Sequence, residues 1–190
     1  MSIADLEASV SGAIDTGKFD VVTAVTLLQK YNAKGATHNV DLIVRMLVSC
    51  IATFNKNEVD LILAQLPAAV EKASPSIEKV LAAENALQSG QFVQFWTQWS
   101  EVQTLVKPAV PAFEQTLKAT IAEILSQSFV KLAATEAAAM LNSKDAAKEL
   151  APFGGKSADG FFTFPSTSLN DPKPIKKEPI TLERLLPLTK

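Results

Sequence analysis

Apolar side chains recur at spacings of three and four from about residue 5 to 130, the period of buried helix faces rather than of strands. Val21, Val22, Val25, Leu28 and Gln29 form one stripe, stopped at Tyr31-Asn32-Ala33-Lys34-Gly35, where Asn and Gly suit a helix end. Leu42, Ile43, Met46, Leu47, Cys50 and Ile51 form the next, ending near Asn55-Lys56-Asn57. Val59, Ile62, Leu63, Leu66 and Val70 form a third, which Pro67 breaks or kinks. Ser74-Pro75-Ser76 then caps two short amphipathic helices joined at Ser89-Gly90-Gln91. The first carries Ile77, Val80, Leu81, Glu84 and Leu87; the second aligns Phe92, Phe95, Trp96, Trp99 and Val102. Each aromatic ring can bury about 150–250 Å², so this second helix is expected to dock into a large core. Residues 77–106 read as an antiparallel helical hairpin. Past Pro108 and Pro111, a long helix lined by Phe113, Leu117, Ile121, Ile124 and Ser128 reaches about Phe129.

The character changes near Lys131. Leu132, Glu136, Met140 and Leu141 lie on an alanine-rich helix that stops at Asn142-Ser143, and a second short helix covers residues 144–151. Gly154-Gly155 and the turn Ser157-Ala158-Asp159-Gly160 lead into Phe161-Phe162-Thr163-Phe164, the one convincing strand. Helix, turn, helix and strand in this order match a winged-helix module. Beyond Pro165, proline and lysine dominate (Pro172, Lys173, Pro174, Lys176, Lys177, Pro179), as in an extended linker, before a small apolar cluster at Ile180, Leu182, Leu185 and Leu186. The expected fold is mainly α, with a stacked helical-repeat part over residues 1–130, a winged-helix-like module over 131–165 and an extended tail over 166–190.

Charge and cysteine content narrow the function. A net charge of −2 gives no general attraction to a phosphate backbone, against a dedicated nucleic-acid binder. The longest apolar run, residues 40–54, is interrupted by Asp41 and Arg45 and falls short of the roughly 20 residues of a membrane span. The start Met1-Ser2-Ile3-Ala4-Asp5-Leu6-Glu7 lacks the basic-then-apolar order of a signal peptide. Cys50, the single cysteine, sits in an apolar helix and is expected to be a buried, reduced thiol. These features predict a soluble cytoplasmic protein.

No catalytic constellation emerges. One His and one Cys cannot fill a zinc site that usually takes four ligands, and His38, in a polar turn, reads as a surface residue. Gly154-Gly155 lacks the Lys-Ser/Thr of a phosphate loop. Glu84, Glu101, Glu114 and Glu123 read as solvated helix positions. The second helix of the winged-helix-like segment offsets Lys144 and Lys148 with Asp145 and Glu149, and offers no Arg, Asn or Gln to read base edges. No cofactor, metal or catalytic residue is expected, nor sequence-specific nucleic-acid binding. Lys173, Lys176 and Lys177, partly offset by Asp171 and Glu178, read as a solvated linker.

The aromatic segment Phe92-Val93-Gln94-Phe95-Trp96, with Phe113-Glu114, Ile121, Met140-Leu141 and Gly155-x-Ser157-Ala158-Asp159 in register after it, resembles the subunit K family of eukaryotic translation initiation factor 3 over residues 77–164. The chain departs from that family in a shorter N-terminal region and in lacking its Lys-Leu-Tyr-x-Phe-Asn-Pro segment, of which only Phe54-Asn55 is an echo. The resemblance implies a helical-repeat and winged-helix scaffold subunit without enzymatic activity. Its implied partners are other initiation factor 3 subunits, subunit L first among them, and through the complex the small ribosomal subunit. The small winged-helix subunit of the signalosome or the proteasome lid shares this architecture and is the alternative. The resemblance also implies partner contacts at Phe161, Phe162 and Phe164, together with a C-terminal segment built on Ile180, Leu182, Leu185 and Leu186, which packs on its own module or into a neighbour's groove.

Overall fold

The computed structural model describes residues 2–33, 38–54, 56–66, 70, 74–106 and 110–171, and over them nine α-helices precede or flank a small antiparallel sheet. The apolar cluster 180–186 and Lys173, Lys176 and Lys177 lie outside the described residues.

Helix starts follow local chemistry. Helix α1 (Ile3–Asp15) opens on a capping box, the Ser2 hydroxyl accepting from the Asp5 N–H and the Asp5 carboxylate from the Ser2 N–H. In α2 (Val21–Tyr31) the Asp20 carboxylate accepts from Val22 and Thr23, and in α3 (Val40–Ala52) the Asn39 side chain accepts from Leu42. After α4 (Lys56–Gln65), α5 (Pro75–Gln88) begins without a side-chain cap. The Ser74 hydroxyl does not fulfil its expected role there, and Pro75, which needs no N–H partner, starts the helix. The α5–α6 turn is a Schellman closure: Gln91 N–H donates to the Ala86 carbonyl and Gly90 N–H to that of Leu87, with Gly90 at φ +71°. Helices α6 (Phe92–Val102) and α7 (Phe113–Ser128) follow.

Helix α3 is the hub, buried from Leu42 to Ala52 and packed against α1, α4, α5 and α7. A helix apolar on nearly every face has to be surrounded. Its one buried cation, Arg45, turns toward α1, where Nη1 donates to Ser11 Oγ at 2.9 Å and Nη2 pairs with Asp15 at 2.5 Å. Helices α5 and α6 form a tight pair, as the hairpin pattern predicts.

Two stripes differ from the expected ones. In α2 the buried positions are Ala24, Leu27, Leu28 and Tyr31, whereas Val22 is 67% exposed and Gln29 faces solvent. In α7 the stripe turns to Ala122 and Leu125 and leaves Ser128 outside.

The C-terminal part contains more strand than expected. Lys131–Ala133 is not the start of the alanine-rich helix but strand β1, followed by α8 (Ala134–Leu141), α9 (Ala146–Leu150) and a 3-10 turn at Ala151–Phe153. Strands β2 (Lys156–Ala158) and β3 (Phe161–Thr163) complete an antiparallel sheet of order β1-β3-β2, pairing Leu132 with Phe162 and Ser157 with Phe162. Asp159 and Gly160, both at positive φ (49° and 79°), form the two-residue β2–β3 hairpin turn, whose twist matches that of the strands. The module is not sealed off from the helical part, because α7 packs on α3 on one side and on α8 and α9 on the other.

Candidate functional site

The aromatic helix is mortar rather than a ligand box. Phe92, Phe95, Trp96, Trp99 and Val102 are all buried; Phe95 stacks on Trp99 with centroids 6.0 Å apart, and Trp99 stacks on Phe113 of α7 at 4.1 Å. Trp96 Nε1–H donates to the Met140 carbonyl at 2.9 Å, tying α6 to the end of α8, and Lys118 lies 5.7 Å from its ring centroid. The five apolar positions expected on this face are therefore consumed by packing inside the chain, with Trp96 reaching the sheet-bearing part.

Polar groups elsewhere are also structural. His38 is half-buried rather than a free surface residue: Nε2 lies 3.0 Å from the Tyr31 carbonyl, and its ring meets that of Tyr31 edge-on. The Tyr31 hydroxyl donates to Glu7, and burial, with that hydrogen bond second, pushes the phenol well above its ordinary range. Glu84 is not a solvated carboxylate. It is buried on the inner face of α5 with Oε1 unpartnered, and burial raises its pKa. Cys50 is a buried free thiol pushed up to about 12, first by burial and then by the charge of Glu58. Among the described residues no three His, Cys, Asp or Glu side chains gather as metal ligands would, and no helix is long and apolar enough to cross a membrane. In α9, Asp145 caps the Lys148 N–H, Ala146 and Leu150 are buried, and Lys148 stands beside Glu149.

The sheet has two distinct faces. Leu132 and Phe162 point inward and are buried, and Phe164, next along the chain, is buried as well, so Phe162 and Phe164 pack in the chain's own core. Phe161 faces outward at 37% exposure, with Lys131 Nζ 4.1 Å from its ring centroid. Of the three phenylalanines singled out in the sequence, only Phe161 presents a surface. Exposed Lys156 stands on the other edge strand, and Phe129, leading into β1, is 36% exposed.

Residues 165–171 are not loose. The Asn170 side-chain amide donates to the carbonyls of Ser126 and Pro165, each at 3.0 Å, and to that of Phe129 at 3.3 Å. Its side-chain oxygen accepts from the Thr167 N–H at 2.7 Å. This clasp caps the end of α7 from 44 residues away. Sequence reading missed Phe129, Lys131, Lys156 and Asn170. The β-favouring pair Phe129-Val130 before Lys131 was the available signal, hidden by the alanine-rich run that follows it.

Residues 37–156, more than half of the chain, match the model of the CSN8/PSMD8/EIF3K family, a span that holds α3 and the hairpin and reaches the first residue of β2.

Proposed function

The chain belongs to the CSN8/PSMD8/EIF3K family, whose members are non-catalytic scaffold subunits of large assemblies, and from that premise we propose that it is the subunit K type, acting within translation initiation factor 3 in the cytoplasm. The observation that carries this reading is the Phe92-Val93-Gln94-Phe95-Trp96 segment, whose resemblance to subunit K coincides with a structural role: Phe92, Phe95 and Trp96 are buried, and Trp96 ties the helical part to the sheet module. The family as a whole covers subunits of initiation factor 3, of the signalosome and of the proteasome lid.

In this reading the chain works by contact alone, and its partners are other initiation factor 3 subunits, the subunit L neighbour first. The contact surface consists of the outer face around Phe161 and the apolar residues Ile180, Leu182, Leu185 and Leu186. Affinity purification of the tagged full chain from its native extract, followed by mass spectrometry, tests the assignment. Stoichiometric initiation factor 3 subunits are the expected result; signalosome or proteasome-lid subunits in their place overturn it.

A further inference from the structure

The described chain ends beside Phe129, at the border of the sheet's outer face. Phe161 stands on the sheet's outer face at the hairpin end of the central strand, with Lys131 Nζ of β1 4.1 Å from its ring centroid; Lys131 and Lys156 of β2 flank Thr163, the next outer-face residue of that strand, and the three strands contain no carboxylate. Phe129 continues this face, and its carbonyl is one of the three that hold Asn170. The clasp therefore fixes where the chain departs, at Asp171, next to the border of the face.

The following sequence has the length to cover it, and carboxylates on either side of its first apolar residues. Eight residues, 172–179, separate Asp171 from Ile180, and extended at about 3.3 Å each they reach about 26 Å. The ring is closer. Four strand steps from Phe129 to Ala133 span about 13 Å, and Phe161, the register partner of Ala133, is one strand spacing of about 5 Å across. Glu178 and Glu183 bracket Ile180 and Leu182 along the chain, as Lys131 and Lys156 bracket Thr163, two residues from Phe161 on the same face, across the sheet.

We propose that in the free chain residues 178–186 fold back onto the outer face of the sheet, with Ile180 and Leu182 covering Phe161 and the two glutamates facing the two lysines. The inference rests on the contact surface proposed above, whose two halves it pairs, and not on which assembly receives the chain. A partner that takes this surface displaces a self-contact rather than meeting bare apolar groups.

The test uses the full chain with Thr181→Cys, carrying a nitroxide. Cys50, buried and with its thiol pushed up to about 12, stays unlabelled. Expected is broadening of the Phe161, Phe162 and Thr163 amide resonances that persists on tenfold dilution and is lost in Leu182→Asp. Lys131→Glu is expected to weaken it, and adding Glu183→Lys to restore it. No broadening, broadening that survives Leu182→Asp, or broadening that fades on dilution (a second copy on the face) each overturns the proposal. The spectra report directly that each variant is folded. Because the measurement needs no partner, its failure leaves the purification result standing, and the reverse.

Discussion

Trp96 is where one residue does two jobs. Its ring is buried in the α6 face, and its N–H closes onto the Met140 carbonyl of the sheet module. Trp96→Ala is expected to cost about 3–5 kcal/mol, as for other large-to-small changes in cores. Trp96→Phe keeps most of the packing but strands the carbonyl, a loss nearer 1 kcal/mol. Urea midpoints check both, and an unchanged midpoint for Trp96→Ala would show that the ring is not core. Glu84 gives a prediction with a sign. Burial raises its pKa above the ordinary value near 4.5, so the folded chain holds the proton to higher pH than the unfolded chain does. Its favourable contribution is complete below the unfolded value and is lost as pH climbs through the folded one. Glu84→Gln should therefore be more stable than the parent at pH 7, by on the order of 1 kcal/mol, and no more stable at pH 4. An equal difference at both pH values would refute the burial account. The aromatic stripe was legible in the sequence because big rings at helical spacing have few other uses. Glu84 was not, since a carboxylate on a helix reads as solvated until its neighbours in space are known.

At the scale of elements, the module depends on backbone positions that tolerate no side chain. A Cβ on Gly155 would lie 2.9 Å from Leu150 Cβ, 3.0 Å from the Leu150 carbonyl oxygen and 3.1 Å from Phe164 Cε1. Gly155→Ala must push α9 and the segment after β3 apart, at about 1–3 kcal/mol. Gly160 opens onto free space but sits at φ +79°, which a residue with a Cβ rarely adopts, so Gly160→Ala should cost about 1 kcal/mol. Thermal melts of the two variants should rank in that order; the reverse ranking would place the tight approach elsewhere. The hairpin turn and the helices from α3 to α7 follow from periodicity and turn chemistry. Strand β1 does not, because three residues are too few to show alternation against the helical alanines behind them. The α2 face was misread for a related reason. Valine and leucine occupy both possible stripes there, and only packing against α1 and α4 selects Ala24, Leu27, Leu28 and Tyr31.

For the molecule as a whole, the sequence change at Lys131 suggested two successive parts, and helix α7 joins them more firmly than the sequence revealed. Its Ile121 is fully buried in a helix that contacts α3 and, on its other side, α8 and α9. Ile121→Ala is expected to cost about 2–5 kcal/mol and to lower the tryptophan-reported and sheet-reported melts together. Two separated transitions would mean that the parts fold independently. A wall shared by two rooms does not fall in only one of them: in the single transition expected here, local damage in the helical part becomes loss of the sheet, and the population of half-built molecules stays small. On the proposed contact surface, a neighbouring subunit that touched only the sheet face would then read the folding state of the entire chain, and an assembly accepting that surface would screen against damaged copies of the subunit.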